Sequence, residues 1–162
     1  MMNENQVEDD DSEPVEPTTQ WLTFLLEKEK YAVKVIQVQE VLLYSEIAPV
    51  PGAPIGVLGI INLRGNVVTV VDARTSFGMP STGVTKLSRI LMTDIHGHIV
   101  GVVVDSVSEV VDIKDDAVES APDVSNSSSS KFIQGIVNMD NELHILVNLE
   151  KLISEEELDL LS

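Results

Sequence analysis

YAVKVIQVQEV, residues 31–41, reappears 69 residues later in altered form as VGVVVDSVSEV, residues 100–110. In both copies valines recur at every second position, and a glutamate stands before the last valine. Alternation with period two is typical of a β-strand with one buried face. A pattern that returns at a fixed spacing indicates a duplicated structural unit.

Two further blocks extend the repeat toward the end of the chain. Residues 59–63, GIINL, fall on residues 135–139, GIVNM, and Val71-Asp72 fall on Val147-Asn148, now at a spacing of 76. The spacing grows by seven residues because the second copy holds a longer connection, which includes the low-complexity run SNSSSS at residues 125–130.

The repeat predicts an all-β fold of two tandem five-stranded β-barrels. A small sheet with exposed edges gains most by closing on itself, and two such small barrels are expected to pack together through an apolar seam. We expect five segments: a disordered acidic tail at 1–19, a first barrel unit at 20–80, a linker at 81–86, a second barrel unit at 87–153 and a short amphipathic helix at 154–162 packing on the barrels. Ser154 followed by three glutamates is typical of a helix N-cap.

Charge and composition exclude several kinds of partner. Ten Lys and Arg against 27 Asp and Glu give a formal charge of −17, so a cationic surface for nucleic acid or an anionic membrane is not expected. The chain has no cysteine, and its aromatic content is only 4%. A reducing cytoplasm fits the first fact, and a core of branched aliphatic residues fits the second. The start of the sequence lacks the pattern of a secretory signal, and prolines interrupt its longest uncharged stretch.

Residues that could support catalysis are sparse. His96 and His98 flank Gly97 after Asp94, and two imidazoles with a carboxylate could hold zinc. We interpret this segment instead as a hairpin turn with solvated histidines, so neither a metal nor another cofactor is expected. No phosphate-binding glycine loop and no nucleophile motif is present in the sequence. The catalytic alternative that remains is a metal-dependent hydrolase.

The two copies differ at one turn. Arg64-Gly65 in the first copy corresponds to Asp140-Asn141 in the second, so the fold needs a turn at this place but not an arginine. Gly65 is explained by the positive φ of a tight hairpin, whereas Arg64 is suited to anchoring a partner carboxylate or carbonyl. Glu40 occurs in both copies, which favours a structural role such as pairing with Arg64. Gly59 also repeats, which indicates a bulge or a close backbone approach.

Four ordered blocks resemble the CheW-like family of chemotaxis coupling proteins. The blocks are residues 31–41, residues 59–74 with Asn62-Leu63-Arg64-Gly65, residues 100–110 and residues 145–152. The resemblance covers about residues 20–161. It implies two SH3-like barrels and a non-catalytic cytoplasmic adaptor, recruited to membrane-associated arrays, that joins the histidine kinase CheA to the cytoplasmic tips of chemoreceptors without inserting into the membrane.

The same resemblance assigns two surfaces. It implies receptor binding by Arg64, Val38, Glu40, Gly59, Gly65 and Val110. It implies binding of the kinase's regulatory domain by Arg89 and Leu160, although Arg89 departs from the aliphatic residue usual in the family. A CheW-like adaptor that serves a non-chemotaxis kinase or a polar-localisation system remains an alternative.

Overall fold

The computed structural model describes residues 16–121 and 131–154, and this part of the chain is almost entirely β-structure. Its strands are β1 (Thr18–Leu26), β2 (Glu29–Lys34), β3 (Val38–Leu43), β4 (Val57–Leu63), β5 (Asn66–Asp72), β6 (Arg89–Ile95), β7 (His98–Val104), β8 (Ser106–Lys114), β9 (Ile133–Met139) and β10 (Glu142–Val147). One short helix, α1 (Ala73–Ser76), follows β5, and single 3-10 turns occupy Val35–Gln37, Asp115–Ala117 and Leu149–Lys151. The helix expected at 154–162 and the serine-rich loop lie outside the described residues, except for Ser154.

The strands form two five-stranded sheets of identical design. The first barrel has the order β9-β10-β2-β1-β8, and the second has the order β4-β5-β7-β6-β3. In each, a bridge joins the chain beyond one edge strand to the other edge: Glu119 pairs with Ile136, and Ala48 pairs with Ile60. Closing both edges in this way confirms the prediction of two small barrels in an all-β fold.

The registers confirm the internal repeat. Strands β10 and β2 run parallel with Val147 opposite Val33, and β5 and β7 run parallel with Val71 opposite Val102. These pairs are related by the spacings of 76 and 69 residues found in the sequence. The two barrels therefore share strand order and also residue-by-residue pairing.

The assignment of one barrel to residues 20–80 and the other to residues 87–153 needs correction. The first barrel takes β1 and β2 from the first unit but β8, β9 and β10 from the second, while the second barrel takes β3, β4, β5, β6 and β7. The chain changes barrels between β2 and β3 at the turn Val35–Gln37, and again between β7 and β8. Period two fixes which face of a strand is buried but not which strand lies beside it, so the sequence pattern cannot distinguish these topologies.

Three apolar clusters form the core, and they explain why several strands are apolar on both faces. Ile90 and Met92 of β6 point into the second barrel, whereas Leu91 between them belongs to the largest cluster, which draws on both barrels. The interior of the first barrel is a third cluster around Trp21 and Leu146. The apolar seam predicted between the barrels is confirmed. The rings of Phe24, Tyr31, Phe77 and Phe132 contact one another in sequence within this seam, at centroid distances of 5.8, 5.3 and 5.3 Å.

An ion-pair network also joins the barrels. Arg74 on α1 donates from Nε to Oδ1 of Asp105 at 2.8 Å, pairs through Nη2 with Oδ2, and reaches Glu27 in the β1–β2 turn at 3.3 Å. The hydrogen bond with Asp105 raises the pKa of Arg74. Burial by itself raises the pKa of Asp105, but hydrogen bonds from Arg74 and from the Glu27 N–H outweigh it and leave that pKa below its usual value.

The expectation of a disordered tail extending to residue 19 is wrong at its inner end. Thr18 and Thr19 already belong to β1, opposite Lys114 and Ile113 of β8. The carbonyl of Pro17 also accepts a hydrogen bond from the Asp115 N–H at 2.9 Å. Strand β8 reaches to Lys114, so its backbone groups hold these polar residues in place without side-chain burial.

Candidate docking site

The turn that carries Arg64 is a tight hairpin between β4 and β5. Arg64 and Gly65 have φ values of 50° and 86°, the pattern of a type I′ turn, and the Gly65 N–H donates to Asn62 Oδ1 at 3.1 Å. Asp140 and Asn141 in the matched turn have φ values of 53° and 64°. Both turns have the same backbone, so the fold does not require the arginine side chain.

Arg64 pairs with Glu40, which lies on β3. Its Nη2 contacts Oε1 of the carboxylate, while 67% of the arginine side chain and 36% of the glutamate side chain remain exposed. The pairing expected for Glu40 is thereby confirmed. An exposed pair of this kind contributes at most about 1 kcal/mol to stability. Its guanidinium is oriented by Glu40 and still accessible to a partner.

The pair stands at the edge of a groove of about 670 Å³ on the second barrel. Strands β3, β4, β5, β6 and the β6–β7 turn supply its walls. Val67 and Ile99 lie on the walls with 68% and 38% of their surface exposed. An arginine beside exposed aliphatic side chains is a combination suited to protein recognition.

Gly59 shapes this region from beneath. The residue is buried, and a Cβ at its position would lie 2.1 Å from the carbonyl oxygen of Ala48, where the closing bridge crosses β4. The register shifts at Gly59, and it shifts again at the matched Gly135, whose Cβ would meet Val118 at 2.6 Å. The bulge and the close approach expected from the sequence are both confirmed. Gly59 is covered by Ala48 and offers no surface to a partner.

The remaining receptor-assigned residues lie apart from the groove. Val38 is half-buried on β3 and packs against the seam cluster. Val110 is 52% exposed but lies on β8 of the first barrel, opposite Leu22. The structure therefore brings Arg64, Gly65 and Glu40 together, and places Val38 and Val110 elsewhere.

Sequence reasoning missed the apolar walls of the groove. Ile99 corresponds to Lys30 at the spacing of 69 residues, so it differs between the copies as Arg64 does. The same comparison of matched positions could have identified it. Val67 offers no such signal, because its counterpart Leu143 is also aliphatic.

The two kinase-assigned residues have different standing. Arg89 opens β6, and its Nη1 donates to the carbonyls of Lys86 and Ser88, both at 2.9 Å. Opposite it on β3 is Leu43, which is 71% exposed, and nearby in sequence Leu87 is 63% exposed. Leu160 lies outside the described residues.

His96 and His98 lie at the hairpin between β6 and β7, as expected. His96 is exposed, and His98 contributes to the groove wall. Within residues 16–121 and 131–154, no three side chains of metal-binding type come together. The described part of the chain also contains no helix that is long and apolar enough to cross a membrane.

The sequence was compared with known families and proteins. The model of the CheW-like domain matches residues 20–157. The chain belongs to the CheW-like family. Among CheW-like relatives, the chemotaxis protein CheW of Thermotoga maritima is 32% identical, with 83% of this chain and 87% of that protein covered. The chemotaxis protein CheW of Klebsiella aerogenes is 28% identical, with 87% and 85% covered.

A solved CheW structure shares the fold. The crystal structure of the scaffolding protein TtCheW from Thermoanaerobacter tengcongensis superposes with a TM-score of 0.79 at 32% identity, over 90% of this chain and 92% of that one. The family resemblance and the twin SH3-like barrel fold are confirmed.

Proposed function

We propose that this CheW-like chain is a non-catalytic adaptor that couples transmembrane chemoreceptors to the histidine kinase CheA in bacterial chemotaxis arrays. Its relatives are named chemotaxis proteins, and its structural neighbour is described as a scaffolding protein. Such a role places it in the cytoplasm, at the membrane-associated receptor array.

One observation carries the receptor half of this proposal: an exposed arginine, held by Glu40 at a type I′ turn, borders an open groove with apolar walls. A helical receptor tip presents backbone and side-chain oxygens together with aliphatic side chains. The guanidinium would bind the former through several N–H donors, and Val67 and Ile99 would pack against the latter. We propose Gly65 as the residue that sets the turn and Gly59 as a supporting residue, with Val38 and Val110 as more distant members of the receptor surface.

A second surface is proposed for the kinase. Leu43 and Leu87 are exposed aliphatic residues near Arg89, and Leu43 belongs to an outer strand of the second barrel. The regulatory domain of the kinase would pack against this strand, with Leu160 as a further contact. Separate surfaces let one molecule hold both partners at once, and many weak contacts of this kind add up in an array.

The substitution Arg64→Ala tests the receptor half. In a reconstituted mixture of receptor, adaptor and kinase, we expect receptor-dependent kinase activation to fall at least tenfold, because the buried anchor contact is lost. Binding to the isolated kinase should stay the same. Unchanged activation with the R64A protein would refute the assignment.

Lys114→Ala provides a matched control. Lys114 is similarly exposed, at 62%, and also pairs with a glutamate, Glu16 at 3.2 Å, but it lies at the end of β8 on the first barrel. Both substitutions remove one positive charge from an exposed ion pair. Only R64A should impair receptor coupling, so a general effect of net charge would be recognised by an equal loss in K114A.

A further inference from the structure

The first barrel has a polar pocket of about 220 Å³ near the point where the described chain begins. Its walls are formed by Thr19, Trp21, Lys34, Asp115, Val118, Gln134 and Leu146. The repeat places this pocket opposite an equivalent one of about 250 Å³ on the second barrel. Thr19, Lys34 and Gln134 correspond there to Ser88, Val103 and Leu58, which line the second pocket.

The two pockets differ in what crosses them. On the second barrel, residues 81–84, immediately before β6, form part of the wall. Strand β6 corresponds to β1, so the matching segment at the spacing of 69 residues is 12–15, with Glu13 in the place of Thr82. These residues directly precede the described part of the chain.

The first-barrel pocket holds polar groups that lack partners. Trp21 is 4% exposed, and its indole Nε1 has no hydrogen-bond acceptor. The ammonium of Lys34 lies 5.9 Å from the centre of the Trp21 ring, and no ion pair of Lys34 is found among the described residues. The carboxylate of Asp115 on the same wall accepts a hydrogen bond from the Thr19 hydroxyl at 2.7 Å. A cation and a buried N–H donor side by side favour a carboxylate as the missing group.

We infer that the acidic segment before β1, residues 9–15, crosses this pocket and places the Glu13 carboxylate beside the Lys34 ammonium. The segment carries Asp9, Asp10, Asp11 and Glu13, so its charge is complementary to that of Lys34. Reach is sufficient, because three residues separate Glu13 from Glu16 and span up to about 10 Å. The acidic tail then acts as an intramolecular ligand of the first barrel, and this assignment is independent of the adaptor function.

The single tryptophan makes the contact measurable. Trp21 is the only one in the chain, so its indole N–H gives one assignable cross-peak in a nitrogen-15 correlation spectrum of the full-length protein. We expect Glu13→Gln to shift this peak, and Glu4→Gln, which removes the same charge from a more distant part of the tail, to leave it in place. In a Lys34→Gln background, E13Q should produce no further shift.

Salt provides a second readout. Raising the salt concentration to about 0.5 M shortens the screening length to roughly 4–5 Å and should move the peak of the unsubstituted protein toward that of E13Q. The inference is overturned if E13Q leaves the peak unmoved, or if E13Q shifts it equally with and without Lys34. If a free acidic peptide moves the peak while E13Q does not, the pocket binds a partner's carboxylate and not the tail.

Discussion

Arg64 and Glu40 are 24 residues apart in sequence, and their side chains form an ion pair that connects the β4–β5 turn to β3. Neither residue is buried, and the pair stands beside an open groove. Its contribution to folding is therefore small, and its contribution to docking lies in holding the guanidinium in one orientation.

Exchanging the two charges separates orientation from docking. The double variant Arg64→Glu with Glu40→Arg can re-form the ion pair, so we expect its unfolding free energy to stay within about 1 kcal/mol of the original. Receptor coupling should remain lost, because the guanidinium now lies on β3 and a carboxylate occupies the turn. Urea unfolding and receptor-dependent kinase activation measure the two effects. Recovery of coupling in the double variant would show that the pair, and not the position of the arginine, is what the receptor requires.

Substitutions of three glycines should rank by the space around them. Gly59→Ala should destabilise most, by about 3 kcal/mol or more, because its Cβ would overlap the Ala48 carbonyl. Gly135→Ala should cost less, since its nearest neighbour is the movable side chain of Val118. Gly65→Ala, which has open space but a φ of 86°, should cost about 1 kcal/mol. Chemical denaturation of the three variants measures the order, and G65A as the most destabilising would contradict it.

Acid should weaken the junction through Asp105. Its pKa is lowered in the folded protein, so the stabilisation it provides is complete above its unfolded pKa of about 3.9 and is lost as pH falls through the lower folded value. Asp105→Asn should destabilise the protein at neutral pH by about 3 kcal/mol, because it leaves the largely buried Arg74 without its main partner. The N105 protein should also show a shallower loss of stability between pH 5 and pH 2, roughly the range over which such a group titrates. Parallel pH profiles for the two proteins would argue against this role.

Alkali should act through Tyr31. Burial in the seam, with Glu29 and Glu27 nearby, raises the pKa of Tyr31 from 10.0 to about 12. Because the folded pKa is the higher one, the stabilisation is complete below pH 10 and is lost as pH rises through about 12. Tyr31→Phe removes the ionising group, so its stability should fall less over that interval. Thermal unfolding of both proteins at a series of pH values measures the difference, and identical profiles would exclude Tyr31 as the source.

The exchange of strands between barrels predicts that half-chains cannot fold alone. A fragment ending at residue 86 has only β1 and β2 of the first barrel, and lacks β6 and β7 of the second. We expect fragments 1–86 and 87–162 to lack cooperative unfolding when separate and to regain it when mixed. Circular dichroism and thermal scans of the mixture test this expectation. A fragment that unfolds cooperatively alone would require barrels built from consecutive strands.

Several features could be predicted from sequence because they depend on local chemistry. The type I′ turn at Arg64-Gly65 follows from the need for positive φ, and the bulge at Gly59 follows from a glycine that repeats within a strand. The pairing of Glu40 with Arg64 was also within reach, because the copies share the glutamate and differ in the arginine. The apolar wall at Val67 was not, since an aliphatic residue in a strand is usually buried and here it is 68% exposed.

The amino-acid sequence alone determined that this chain is a duplicated all-β protein, because period-two alternation, turn residues and the repeat are all properties of neighbouring residues. The tertiary structure decided which strands share a barrel, since Val33 pairs with Val147 across 114 positions and nothing local to either valine selects the other. It also decided that Arg74, Asp105 and Glu27 meet at the junction. Such pairings arise from closing two sheets and burying their common face, and that balance of long-range packing is set by the whole chain at once.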